Sequence, residues 1–231
     1  MRAFQRAHQP AISVDAKKKE LVGDFKNLGA EWRPIGDPEQ VRVHDFLIPA
    51  RGKAIPDGVY DLHRNEGWVS VGIDHETASF AVHAIRRWWR VMGRVAYPVA
   101  QRRLITADAG GSHGTTRRLW KWELHQFATR TGLAITVCHF PPGTSKWNKI
   151  EHRLFSSIAR NWRGTPLIDL ATIVSLIGAT RSAAGLRVRS ELDRGHYPPG
   201  VAVTDQQLAR VALKRHVFHG DWNYTIHPKH R

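Results

Sequence analysis

The sequence predicts an α/β fold, with a mixed sheet of about five strands flanked by helices. Short apolar runs of strand length, amphipathic stretches at helical period between them, and Gly or Pro at the junctions carry that prediction. With 231 residues, 42% of them apolar, the chain can bury a core as one domain or one with appendages.

Residues 1–10 are polar and basic and are expected to be loose. From Ala11, the runs AISVD and LVGDF read as two strands of a hairpin turning around Lys17-Lys18-Lys19-Glu20. Residues 27–66 are rich in Gly, Pro and charge and read as a connection-rich insertion with short strands at VRVHDF and GVYDL. GWVSVGID is the next core strand. A helix follows, with Phe80, Val82, Ile85, Trp88, Trp89 and Met92 as its apolar stripe and Gly93 as its stop. Leu104–Ala107 is a strand, and a glycine-rich loop leads from Asp108 into a helix over 115–131 that Gly132 ends. After a strand at Ala134–Cys138, Pro141-Pro142-Gly143 breaks the chain. Thr144 or Ser145 can then cap a helix with a buried stripe of Trp147, Ile150, Leu154 and Ile158. Residues 11–164 form the expected catalytic unit, and 165–231 a helical or irregular extension packed on it. The strands bearing Asp15 and Asp108 fall side by side if the chain returns to the first strand's free edge.

Charge narrows the function. The 35 Lys and Arg against 20 Asp and Glu give a net charge of +15, which points to a polyanionic partner. Basic residues interleave with indoles in RRWWR, RRLWKW and NWR, a pattern that serves nucleic acids as well as cores. Cys138 is the only cysteine, which excludes an intrachain disulfide and fits a cytoplasmic protein. No apolar run reaches membrane-spanning length, and no signal peptide opens the chain. The histidines near Cys138 and at 216, 219, 227 and 230 lack the spacing of a structural zinc site.

Three acids stand out against this basic background. Asp15 ends AISVD, Asp108 ends RRLITAD, and Glu151 lies in WNKIEHRLF, three residues after Asn148 and on the same expected helix face. Carboxylates gathered at strand ends hold divalent metal ions, and paired ions are the usual machinery for cutting and joining phosphodiesters. Asp74 also ends an apolar strand and rivals Asp15 as the first acid.

SVDAKKKE, VGDFKN, NEGWVSVG, ITAD, the stretch from FPPGT through Phe155, and HGDWNY together resemble insertion-sequence DDE transposases of the Rhodopirellula or Azoarcus type, within the DDE integrase-transposase superfamily. The resemblance covers roughly residues 11 to 227. It implies a ribonuclease H-like catalytic domain that cleaves DNA and transfers the cut strand. It makes Asp15 the first acid, Asp108 the second and Glu151 the third. Two Mg²⁺ ions are expected, with Mn²⁺ as a possible substitute: Asp15 bridging both, Asp108 and Glu151 on one each, and Asn148 supporting them from behind. Lys17, Lys18, Lys19, Lys146, Lys149 and Arg153 are the candidate nucleic-acid contacts. The implied partners are transposon ends and target DNA, bound as a homo-oligomer, with the protein on the nucleoid when engaged. Since the first catalytic strand begins ten residues after Met1, the chain is expected to be a catalytic region without the helical end-recognition part. Two other readings share these features: a nuclease on the same fold that does not join strands, and an inactive basic DNA-binding remnant.

Overall fold

The computed structural model describes residues 1–30, 32–44, 46–48 and 51–229. Asp45, inside the expected VRVHDF strand, and His230 lie outside the described residues.

Strand β1 (Ala11–Ala16) is the centre of the fold. It pairs antiparallel with β3 (Lys53–Asp61) on one side and parallel with β5 (Arg102–Asp108) on the other. Beyond β3 lies β4 (Glu66–Gly72), antiparallel; beyond β5 lies β6 (Ala134–Phe140), parallel. The order β4-β3-β1-β5-β6, with three antiparallel strands followed by two parallel ones, is the ribonuclease H-like sheet. The crossover from β4 to β5 returns the chain beside β1, and this brings the two acid-bearing strands together.

Both edges of this five-stranded core are extended. β7 (Arg187–Asp193) pairs with β4, β9 (Asn223–Ile226) with β6, and β8 (Leu213–Arg215) with β9; β2 (Glu20–Leu21) adds a short rung to β3. Nine strands are therefore present among the described residues.

Several expectations need correction. The hairpin of AISVD with LVGDF does not form: β2 pairs with β3, because β3 and β5 already occupy both edges of β1. The segment expected to supply only short strands between connections contains the nine-residue β3, the closest antiparallel partner of the acid strand. The described residues of VRVHDF form no strand, only an isolated bridge from Arg42 to Phe25. The stretch beyond residue 164 is not simply helical, since it donates β7, β8 and β9. Residues 2–6 form a short helix, α1 (Arg2–Arg6).

Helices cover the two faces of the sheet. On one face pack α2 (Ala78–Trp88) and α4 (Arg118–Thr131), against Ile12, Val14, Val59 and Ile105. Thr77 caps α2 by accepting from the Phe80 amide, and a π turn at Trp89–Gly93 carries the chain into α3 (Arg94–Ala96). Gly132 ends α4 at φ 71, a left-handed conformation that glycine adopts without strain. On the opposite face, a π turn at Glu151–Phe155 continues into α5 (Ser156–Asn161), which packs with α6 (Leu170–Ala179) against Tyr60, Val69 and Val71. Ile150, Leu154 and Ile158 are buried there; each contributes about 1.5–3 kcal/mol of hydrophobic stabilisation. The last helix, α7 (Asp205–Ala209), carries a capping box between Thr204 and Gln207. Among the described residues no helix is long and apolar enough to cross a membrane.

Candidate active site

The parallel register of β1 and β5 sets Ser13 opposite Thr106. Two residues further along each strand come Asp15 and Asp108, which strand alternation keeps on that same face, the one covered by the chain from Asn148 into α5. Val14 and Ala107, on alternate positions, enter the core on the other face.

Asn148 joins the two acids. Its amide Nδ2 donates to Asp108 Oδ1 at 3.0 Å and to Asp15 Oδ2 at 3.3 Å. Its own Oδ1 accepts from Ser13 Oγ at 2.5 Å, and Ser13 Oγ accepts in turn from the Ile150 amide at 3.3 Å. Asn148 is 0% exposed, so its own amide atoms lie out of water, where an unmade bond costs most. The backbone amide of Ala16 completes the set by donating to Asp15 Oδ1 at 2.8 Å.

Electrostatics place Glu151 and His113 in the same neighbourhood. Burial pushes the Asp15 carboxyl up to about 7; the negative charges of Asp108 and Glu151 add to the rise, and His113 opposes it. Asp108 is also raised by burial, against the Asn148 hydrogen bond and the His113 charge. Such crowding of carboxylates in a half-buried spot is relieved by a cation, and the all-oxygen donor set suits a hard divalent ion such as Mg²⁺ or Mn²⁺. Among the described residues, no group of three or more His, Cys, Asp or Glu side chains is gathered so as to hold a metal ion. The two aspartates are instead satisfied by the Asn148 amide, and Glu151 stands half-buried at the start of its π turn.

The other candidates fall around this centre. Asn148 is not on a helix with Glu151: at φ −68 and ψ 115 its backbone is extended, and a 3-10 turn, Ser145–Trp147, precedes it. Trp147, expected in the buried stripe, is 56% exposed, because that turn replaces the helical phase that would have turned it inward. Lys18, Lys146, Lys149 and Arg153 are exposed. Lys17 is occupied, paired with Glu20 and lying 4.5 Å from the Trp162 ring; Lys19 pairs with Glu76 at 3.3 Å. Asp74 lies past β4, two strands removed from β1, where it contacts His75 and His196 and accepts from the Tyr197 amide.

A second layer of residues supports the acids in a way the sequence reading did not assign. His113, fully enclosed in the loop after Asp108, has Nε2 3.5 Å from Asp57 Oδ2 on β3. His139 on β6 brings Nδ1 to 3.0 Å from the Asp108 carbonyl oxygen and Nε2 to 3.0 Å from the Tyr224 hydroxyl, which also accepts from Trp120 Nε1 at 3.1 Å. Burial pushes the His139 imidazole down to about 4, so it stays neutral and holds the end of β5 without adding charge. Ser13 was detectable, two positions before Asp15 on the same strand face. The His139–Tyr224 link, between segments 85 positions apart, left no local signal.

Comparison with known proteins gives the chain a family. The profile of the family described as Rhodopirellula transposase DDE domain matches residues 1–228. Similar solved structures include the Mos1 mariner paired end complex with Mn (14% identity, TM-score 0.49, covering 74% of this chain and 48% of that one). The Mos1 transposase paired-end complex with left transposon end gives 14% identity, a TM-score of 0.48 and the same coverage. The Mos1 Strand Transfer Complex gives 12% identity and a TM-score of 0.48, covering 74% of this chain and 47% of that one. The chain thus spans about half the length of those transposase chains. Among curated proteins, none gives a significant sequence match.

Proposed function

The chain belongs to the Rhodopirellula transposase DDE domain family, and on that premise we propose that Asp15, Asp108 and Glu151 are the acids of a metal-dependent DNA cleavage and strand-transfer site. The observation that carries this reading is the buried Asn148 amide donating to Asp15 and Asp108 at once, beside a Glu151 whose charge Asp15 feels. A pair of divalent ions, when bound, supplies activation of the attacking water or 3′-hydroxyl and stabilisation of the leaving oxygen.

The chain's own residues do the rest. Asp15, Asp108 and Glu151 would hold the ions through their carboxylate oxygens, with Asp15 at the centre of the set. Ser13 fixes the Asn148 amide, and Asn148 sets the spacing of the aspartates. His139 holds the end of β5 through the Asp108 carbonyl. Exposed Lys18, Lys146, Lys149 and Arg153, close to Asp15 or Glu151 along the chain, offer positive charge to phosphate. The partners in this reading are transposon-end and target DNA, engaged by a homo-oligomer on the nucleoid.

The test is a nicking and strand-transfer assay with Mg²⁺ and precut ends. Joining of the precut 3′ ends to a target, lost in Asp108→Ala, is the expected result. Cleavage without joining would assign the chain to a plain nuclease on this fold. Calorimetry showing no Mg²⁺ or Mn²⁺ site that depends on Asp108 would make it an inactive remnant.

A further inference from the structure

A groove of about 670 Å³ opens where the starts of α2 and α4 meet the loop that leaves Asp108. Its lining draws on two kinds of residue: Lys19, Arg117 and Arg118 with Ser112, and Pro199, Val201 and Val203 from a single stretch of chain. It takes residues from just beyond both acid-bearing strands, since Lys19 follows Asp15 after a short connection, and Gly111 and Ser112 belong to the loop that leaves Asp108. Glu76, also in the lining, is close enough to act electrostatically on His113, which acts in turn on Asp15 and Asp108.

The cations are held loosely. Arg118 pairs with Asp205 across side chains that are 54% and 89% exposed, and the Lys19–Glu76 pair is also open to solvent. Exposed pairs of this kind are worth only about 0–1 kcal/mol, so a phosphate can replace the carboxylate at little cost. Arg117 is aimed by its Nε, which donates to the Gly111 carbonyl oxygen at 3.2 Å and leaves both terminal nitrogens for a ligand. A lining that combines cations with an apolar stretch suits a single nucleic-acid strand, which offers phosphates to the cations and sugars and base faces to the apolar residues. A duplex turns phosphates outward from both strands and has no such apolar surface to offer the proline and valine residues.

We propose that this groove binds a single-stranded stretch of DNA flanking the phosphate held at Asp15 and Asp108. The inference rests on the transposase reading above and adds to it which strand form lies beside the acids.

Fluorescence anisotropy on the full chain, with a labelled single-stranded oligonucleotide and its duplex over a range of KCl, tests it. For the single strand, Arg117→Ala with Arg118→Ala should flatten the slope of log K against log salt by about 1.4, about 0.7 for each phosphate no longer neutralised. Val201→Asn should weaken single-strand binding with the slope unchanged. An unaltered slope in the double variant overturns the proposal, and so does an equal loss for duplex and single strand. The unsubstituted protein gives a check that needs no variant. A thiothymidine-bearing oligonucleotide should crosslink to peptides containing residues 117–119 or 198–203, and crosslinks confined to other peptides overturn the groove. If the groove fails while Asp15→Ala still abolishes nicking, the transposase reading stands alone. If nicking survives Asp15→Ala while the groove variants lose single-strand binding, the acid assignment falls and the groove remains.

Discussion

Ser13, Asp15 and Asp108 face the α5 side of the sheet, while Asp57 and Arg103, on neighbouring strands, face the α2 and α4 side. These two sets of buried polar groups are partnered in opposite ways. On the α5 side each carboxylate accepts a named hydrogen bond, and Asn148 ties the pair together without exposing an atom. On the other side neither carboxylate oxygen of Asp57 and none of the three guanidinium nitrogens of Arg103 has a hydrogen-bond partner, although both residues are 0% exposed. A satisfied buried network holds atoms in place; an unsatisfied one costs stability. Substitutions on the first face should therefore act on chemistry, and those on the second on folding.

The largest effect expected is on the first face. Asp15→Ala and Asp108→Ala should each lower Mg²⁺-dependent plasmid nicking about a thousandfold or more, while the thermal unfolding temperature stays near that of the unsubstituted chain. Full activity in Asp15→Ala would break the comparison at its strongest point.

On the second face, His113 is, among the described residues, the only positive group acting on Asp57, at 3.5 Å. His113→Leu should cost about 3 kcal/mol in urea unfolding at pH 7, at the low end for a broken buried pair because burial already favours a protonated Asp57. Adding Asp57→Asn to that variant should recover part of the loss. A double variant less stable than the single one would show that the residues act independently.

Asn148→Ala should sit between these extremes, weakening Mn²⁺ binding by about 10–100-fold in calorimetry. Ser13→Ala should act in the same direction and more weakly, since Ser13 reaches the acids only by holding the Asn148 carbonyl. A Ser13 effect larger than that of Asn148 would reverse the proposed order of support.

The same contrast explains what could be read from the sequence. Asp15 and Asp108 were legible because each ends a β-branched apolar run, and a strand–helix–strand series leaves few ways to arrange those runs. Strand β3 was not, because Pro56, Asp57 and Gly58 look like loop residues. Their reason is tertiary: a Cβ at Gly58 would lie 2.7 Å from the Phe155 ring, so only glycine lets α5 close over the acid strand. Helical phase failed at Trp147 for a related reason. Asn148 is drawn out of the helix by Ser13 and the two aspartates, contacts more than a hundred positions away along the chain for Ser13 and Asp15. Charge was legible as composition, but the pairing of Lys17 with Glu20 was not.

Arg103 gives the smallest effect and the sharpest sign. Its guanidinium lies 4.3 Å from the Trp89 ring, 4.7 Å from Phe127 and 5.3 Å from Trp88, and cation–π attraction only partly replaces its lost water. Burial accordingly pushes its pKa down to about 9. A base depressed in the folded state is protonated more readily in the unfolded chain, so its penalty is complete below about pH 9 and fades as pH rises toward its ordinary value. Arg103→Met removes the charge, keeps most of the volume and retains contact with the three rings; it should stabilise the fold by about 1 kcal/mol at pH 7. The gap between the variant and the unsubstituted protein should narrow above pH 9 in urea titrations. A destabilised variant with a gap independent of pH would mean that the aromatic cage satisfies the guanidinium, and that the two faces differ in geometry alone.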